Sequence, residues 1–516
     1  MTWNYDRSRD RIQAHLDVMG DITVEKLIRE ADLSSLLSET NCREIFGAHV
    51  YVQISNFPHL ASQDADDNDS YKELIRAVHI YQREVGRIVE SVQIFDALRV
   101  HFQGPKLHAL LYRPIDDDEE LAARAVLLQL VIKDFVKSVF NPAFTDCDDF
   151  LIAGGADLGD VVGTRNGSKG DRELLFIGSP ANIAAKIISS AGRLRITGNI
   201  YDALGEDLKE ICEDIGDDLY TIAAVSREQL DDLLERYDIG WNSDASAKRI
   251  DDDIERFPLT DVYFGSAEIP IDLDALSIRN SKRVVAASIF ADVSGFTRYI
   301  EACKTEADKK SALRVFHAIR KEMSRVVRND FKGLRIQFQG DRAQGLFHLP
   351  KDNEERIIEK AVNTAIGIQS SMEHAIKDCL PEAAELAMAV GIDIGQTLVS
   401  KLGTRAHRDR ICLGEAVESA AMNEENVDGK QIGISKGAYD VLPTDLKQHF
   451  SYDRGAGCYV ATGLTADRLE LAAKAAVYQS GGAFFIKPSS SGITIGKEES
   501  VSATKVVPAR SYAPES

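Results

Sequence analysis

Apolar positions recur along this chain with two periods. Near-continuous runs at Ala48-His-Val-Tyr-Val-Gln-Ile-Ser-Asn-Phe57 and at Val284 to Phe290 have the length of buried strands, and each ends in a polar turn. Phe296, Tyr299, Ile300 and Cys303 follow the second run at helical spacing. Residues 335–348 (RIQFQGDRAQGLFH) read as a strand, a Gly340-Asp341 turn and a second strand. Ile12, His15, Leu16, Met19, Leu27, Ile28, Leu33 and Leu36 predict an amphipathic helical arm over 1–46. A helix-like SREQLDDLLERYD opens a polar stretch, 226–284, expected to be a linker. A helix is predicted from about 466 (ADRLELAAKAAVYQS), and the Ser-, Pro- and Lys-rich tail to 516 reads as loosely ordered.

The pattern repeats. Arg99-Val-His-Phe-Gln-Gly104 matches Arg335-Ile-Gln-Phe-Gln-Gly340, Gly155-Ala-Asp-Leu-Gly159 matches Gly391-Ile-Asp-Ile-Gly395, and Leu175-Phe-Ile-Gly178 matches Ile411-Cys-Leu-Gly414. Each pair stands 236 residues apart. Upstream, VQISNF (52–57) sits opposite ADVSGF (291–296) at an offset of 239. Segments in one register with one small insertion indicate a tandem duplication. The expected domains are 47–225 and 285–465, with the arm before them, the linker between and the tail after.

Composition narrows the partners. The chain has 516 residues, enough for two or more cores, and is 44% apolar and 28% charged. A net charge of −21 without a basic block disfavours nucleic acid or an anionic membrane as partner. Seven scattered cysteines with no CxxC pair fit a reducing cytoplasm and give no structural zinc. The N-terminus lacks the apolar core of a signal peptide, and no apolar run reaches a membrane span.

Asp292 closes a predicted strand and Asp341 a predicted hairpin turn, so two carboxylates meet on neighbouring strand ends. That is a receptor for two divalent ions and a triphosphate. FADVSGFT (290–297), QGDRAQGLF (339–347) and GIDIGQTLVSKLG (391–403) together resemble the catalytic domain of class III nucleotidyl cyclases. The resemblance implies two ferredoxin-like α/β (α+β) domains. Their head-to-tail contact would form one intramolecular pseudo-heterodimer with sites at the interface. It implies that Asp292 and Asp341, with the Val293 carbonyl, hold two Mg²⁺ or Mn²⁺ ions. In the family, an Asn and an Arg four residues on serve the ribose and the α-phosphate. The first repeat has Asn182 and Lys186 at those positions, the second Glu418 and Met422. Conversely, the first repeat has Gln53 and Pro105 where the second has Asp292 and Asp341. The losses are complementary, so one site is complete and its mirror is not. Arg405 aligns with a polyphosphate-contacting arginine, and the family's phosphate-binding lysine has no counterpart in 213–222.

Purine cyclases in the family read the base with a Lys–Asp or Glu–Cys pair. Here those positions are His101 and Leu175. Tyr51, on the strand face shared with Gln53, places a bulky ring that shortens the pocket. Phe296 is counted with these as substrate-binding. The pattern resembles the bacterial antiphage pyrimidine cyclases, which implies UTP as substrate, ahead of CTP or ATP. A cyclic nucleotide read by a separate effector protein would be the product. An adenylate or cytidylate cyclase in ordinary signalling and a catalytically silent nucleotide-binding module are the alternatives.

Overall fold

The structure is a computed structural model that describes residues 3–28, 33–63, 68–166, 173–189, 191–404 and 407–470. Met1–Arg468 fold as one compact unit. Two nine-stranded sheets organise it, one per repeat. The first contains β1 (Thr23–Lys26), β2 (Asn41–Ile54), β3 (Leu98–Gln103), β4 (Lys106–Leu111), β5 (Ile152–Asn166), β6 (Glu173–Ile177), β7 (Leu194–Thr197), β8 (Cys212–Gly216) and β9 (Leu219–Ile222). The second contains β10 (Phe264–Gly265), β11 (Ser281–Ser294), β12 (Leu334–Gln339), β13 (Arg342–Phe347), β14 (Ala387–Thr404), β15 (His407–Leu413), β16 (Gln431–Ile434), β17 (Ser451–Asp453) and β18 (Cys458–Thr462). The strand orders, β3-β4-β2-β5-β7-β9-β8 and β12-β13-β11-β14-β16-β18-β17, are the same path. The duplicated sequence has therefore produced a duplicated topology.

Each sheet is built on one long antiparallel pair, β2 with β5 and β11 with β14. Valine, isoleucine and alanine dominate these strands, and helices cover their buried face. A Cβ on Gly155 would collide with the Ala184 carbonyl oxygen, and one on Gly391 with that of Ala420. Glycine at these two positions lets a helix lie directly on the strand, Ser179–Lys186 in one repeat and Glu415–Glu425 in the other. Those are the helices that carry the Asn182/Lys186 and Glu418/Met422 positions.

The repeats meet through paired polar contacts. On one side Glu173 accepts from Arg335 Nη1 (2.6 Å), Arg320 Nη2 (2.7 Å) and the Phe338 N–H (3.2 Å). On the other, Asp409 accepts from Arg99 Nη1 (3.1 Å) and the Phe102 N–H (3.0 Å). Leu398, Leu402, Ile411 and Leu413 of the second repeat join the core of the first, so one hydrophobic cluster crosses the boundary.

Two stretches differ from the sequence reading. Within 1–46 only Tyr5–Val18 and Leu33–Leu36 are helical among the described residues, while Thr23–Lys26 and Asn41 onward pair as parallel strands. The expected linker holds helices Arg227–Arg236 and Ser243–Arg256 and the short strand β10. The second of these helices is the counterpart of the first arm. Asn4 and Asn242 cap Tyr5–Val18 and Ser243–Arg256, each accepting from a backbone N–H three residues on. From Tyr5–Val18, Ser8 Oγ and Arg11 reach Glu322 (2.6 and 2.7 Å) on the helix Glu306–Arg325 of the second repeat. From Ser243–Arg256, Ser246 Oγ and Arg249 reach Glu84 (2.7 and 2.6 Å) on the helix Asn68–Glu90 of the first. Each arm docks on the other repeat, at a constant offset of 238 between the two arms and their seats. Of the predicted C-terminal helix, Ala466–Glu470 are helical, and the rest lies outside the described residues.

Candidate active site

Strand β11 ends at Asp292 and Val293, and Gly340, at φ +70°, turns the β12–β13 hairpin so that Asp341 follows it. Burial is the first cause raising both carboxyls above the ordinary aspartate range, Asp341 well above, and the charge of Asp292 is the second cause at Asp341. The Val293 N–H donates to Asp292, and the Lys186 ammonium pulls both carboxyls down. Lys186 is the exposed last residue of Ser179–Lys186, so the first repeat brings a cation to the carboxylates of the second. One turn earlier, Asn182 Nδ2 donates to Thr297 Oγ1 at 3.3 Å, on the helix Phe296–Ala302 that follows Asp292. Four of the predicted residues therefore gather at the inter-repeat boundary: Asp292, Asp341, Asn182 and Lys186.

Two carboxylates pressed into one buried place repel each other, and a cation removes that cost. Among the described residues no third His, Cys, Asp or Glu completes a metal cluster. The donor set fits a hard ion whose remaining ligands are phosphate oxygens and water, such as Mg²⁺ or Mn²⁺. Beside it, Arg342 pairs with Glu424 at 2.7 Å, and burial holds the Glu424 carboxyl up to about 8 with Asp292 adding to the shift.

A cleft of about 370 Å³ opens between the repeats; Ser179 Oγ donates to Glu301 (3.3 Å) in its lining, and Asp292, Asp341, Asn182 and Lys186 are not among the described residues that line it. Val162, Ile177 and Ser179 wall it from the first repeat, Ile300, Lys309 and Leu313 from the second. The Lys309–Glu44 ion pair (2.5 Å) spans its rim. Tyr51 and His101 lie off this wall. Tyr51 is buried and stacks face to face on His108 (4.2 Å, 9°), while His101 meets His108 edge-on (5.4 Å) and accepts from Gln103 Nε2 at 2.6 Å. His49 Nδ1 and His108 Nε2 share a hydrogen bond of 2.9 Å. Burial holds the imidazoles neutral, pushing His101 and His49 down to about 3. Leu175 is buried on β6 opposite Thr164, and the Phe296 ring packs on Phe316 (4.9 Å). Val293 is buried in the β11–β14 pair, and Arg405 lies outside the described residues.

Residues 280–467 match the model of the adenylate and guanylate cyclase catalytic domain. The matched residues take in nearly all of the second repeat. The first repeat, which has the same strand path, completes a tandem of cyclase-like folds. The whole chain is similar to a uridylate cyclase of Pseudomonas aeruginosa, 28% identical over 468 residues and 88% of each protein. A uridylate cyclase of a Rhizobium species is 25% identical, over 78% of this chain and 80% of that protein. Among solved structures, a class III adenylyl cyclase-like ATP-binding protein from Pseudomonas aeruginosa superposes with a TM-score of 0.79 and 25% identity, covering 92% of this chain and 99% of that one.

Two contributors to the candidate site escaped the sequence reading. Thr297 stands inside the FADVSGFT run and could have been marked as a hydroxyl five residues after Asp292. The Glu424–Arg342 pair joins residues 82 apart and left no local signal.

Proposed function

We propose that this chain cyclises a nucleoside triphosphate, with UTP preferred, to the 3′,5′-cyclic monophosphate. The 3′-oxygen attacks the α-phosphorus, the bond to the β-phosphate oxygen breaks, and pyrophosphate leaves while the hydroxyl proton passes to solvent. Asp292, Asp341 and the Val293 carbonyl would hold the divalent ions, whose chemistry is to acidify the hydroxyl and neutralise the triphosphate. Asn182 orients the ribose. Lys186, with Arg405, faces charge that develops on phosphate oxygens.

The observation that carries this reading is that the carboxylates of one repeat lie within the field of Lys186 from the other. The base assignment rests on two supports: the relatives that carry the name uridylate cyclase and the missing purine-reading pair. A soluble second messenger read by a separate effector, in antiphage defence, is the role that fits such a product. The ATP bound by the superposing relative makes ATP the competing substrate.

The purified chain is to be incubated with Mn²⁺ and an equimolar mixture of four ribonucleoside triphosphates, and the products identified by mass. Cyclic UMP with pyrophosphate is expected as the main product. Mainly cyclic AMP would overturn the base assignment, and no cyclic product would make the chain a binding module.

A further inference from the structure

The two repeats differ at the rung of the sheet nearest the carboxylates. In the first repeat the antiparallel β2–β4 ladder runs on to Gln53 opposite Lys106, and the Ile54 N–H then donates to the Pro105 carbonyl (3.3 Å). Gln53 and Lys106 are the counterparts of Asp292 and Arg342, at the offsets of 239 and 236. In the second repeat the β11–β13 ladder ends one pair earlier, at Ala291 opposite Ala343. Asp292 still pairs with Ala389 of β14, and Arg342 with Gln339 across the hairpin. No rung of the described ladder joins Asp292 to the hairpin that carries Asp341.

A side chain bridges that gap. Arg342 opens β13, and its guanidinium lies 4.4 Å from the centre of the Phe290 ring, two residues before Asp292. It forms an ion pair with Glu424 (2.7 Å), and its Nη2 donates to the Ala421 carbonyl (3.0 Å). Glu425 is a looser partner at 3.4 Å. All three acceptors belong to the helix Glu415–Glu425, so one side chain ties the hairpin both to β11 and to the helix above it. Burial raises the Asp292 carboxyl, and the Arg342 guanidinium is the strongest influence opposing that rise.

The mirror is built without this tie. Its helix Ser179–Lys186 stops at the counterpart of Met422, whereas Glu415–Glu425 continues through Asn423, Glu424 and Glu425. Opposite Glu424 and Glu425 the first repeat has Ile188 and Ser189, and opposite Arg342 it has Lys106. Gly391 makes room for the added residues, since a Cβ there would meet the Glu424 nitrogen at 2.2 Å. The shorter ladder, the longer helix and the arginine thus occur together, in the repeat that holds the paired carboxylates.

We propose that Arg342, anchored by Glu424, is a positioning residue for the metal carboxylates: it replaces the missing rung and holds Asp292 and Asp341 at the spacing a divalent ion needs. This rests on the reading of those aspartates as the metal pair. A backbone rung would fix the strands but leave the carboxylates without a counter-charge before an ion arrives. The guanidinium does both.

The test titrates Mn²⁺ alone into the full chain by calorimetry and follows thermal unfolding in EDTA beside it. Arg342→Gln should weaken Mn²⁺ binding by about 10- to 100-fold, the usual loss when a group that orients metal ligands is removed. By charge alone, removing a cation beside the site would tighten Mn²⁺ binding, so the sign of the change separates position from field. Arg342→Lys should fall between wild type and Arg342→Gln, keeping the charge but losing the fork. Glu424→Leu should cost more affinity in the wild-type chain than in Arg342→Gln, where the tie is already undone. A purely structural pair would lower the unfolding temperature in EDTA and leave the Mn²⁺ affinity of the folded chain unchanged. That result, tighter binding by Arg342→Gln, or equal costs of Glu424→Leu in the two backgrounds would overturn the positioning role alone. If Arg342→Gln fails to fold, Arg342→Lys is judged by the same sign. A wild-type chain that binds no Mn²⁺, or binding that survives Asp292→Ala, would overturn the metal reading and the positioning role with it.

Discussion

The cleft between the repeats and its mirror differ in a way that size does not predict. The cleft walled by Ser179 and Ile300 measures about 370 Å³, whereas its mirror, lined by Tyr71, Arg283, Gln396, Gly414 and Lys436 among others, measures about 640 Å³. The larger one lies on the side without the paired carboxylates. Where the active side has Asp341 following the hairpin glycine, the mirror has Pro105, and where one has Asn182 the other has Glu418. The mirror instead buries Lys106 within the field of Glu418 and Glu425. Burial lowers the Lys106 ammonium and raises the Glu418 carboxyl, and each charge opposes the shift of the other. Both sides keep the glycine seat and the Arg–carboxylate grip between repeats. The scaffold is therefore carried by residues both copies share, which freed one side to lose its reactive set.

The sharpest way to break this comparison is to remove a carboxylate. Asp292→Ala or Asp341→Ala should abolish cyclic nucleotide production with an unchanged circular dichroism spectrum, while Gln53→Ala and Pro105→Ala stay near the wild-type rate. Equal damage on both sides would mean two working clefts. Next, Asn182→Ala and Lys186→Ala should each lower kcat by roughly 10²- to 10³-fold, the usual loss for one preorganised donor. Lys186→Arg should keep much of the rate because the charge remains. Met422→Ala, in the mirror, should change nothing. An equimolar mixture of Asp292→Ala and Asn182→Ala chains should stay inactive, since both halves of the cleft belong to one chain. Recovery on mixing would mean that repeats exchange between chains.

Acid should weaken metal binding on the side of the paired aspartates. Burial and mutual repulsion hold Asp292 and Asp341 above the usual aspartate range, so protons compete with metal there. As pH falls below the raised folded values both carboxyls protonate, and the Mn²⁺ affinity measured by calorimetry should drop with proton uptake. An affinity flat with pH would place the ions elsewhere. The smallest effect concerns the arms. Ser8→Ala and Ser246→Ala each remove one hydrogen bond to a buried glutamate and should cost about 1 to 3 kcal/mol of stability. The two tryptophans, Trp3 and Trp241, sit one per arm and report on each by fluorescence.

Much of this was legible in the residues. The offset of 236 located both sheets because strand-turn segments keep their apolar pattern under a strong burial constraint. Asp292, Asp341, Asn182 and Lys186 were readable as a set through the resemblance of their motifs to class III cyclases, the two aspartates also as carboxylates at a strand end and a hairpin turn. Tyr51 was expected to shape the pocket, but the structure stacks it on His108, a partner that period-two alternation cannot distinguish from any core residue. The expected linker hid the second arm. Its signal was present, since Trp3-Asn4, Ser8 and Arg11-Ile12 recur as Trp241-Asn242, Ser246 and Arg249-Ile250, but a short polar helix has little periodicity to compare.

The crossed arms also set an order of assembly. The first arm's seat on Glu322 lies 314 residues after Ser8, so the arm must wait through the whole first repeat and the start of the second. The first repeat, in turn, keeps Glu84 uncovered until Ser246 follows 162 residues on. A nick in the exposed stretch near Ser226 would therefore leave two fragments that still hold one another, each fastened by the helix the other was made with.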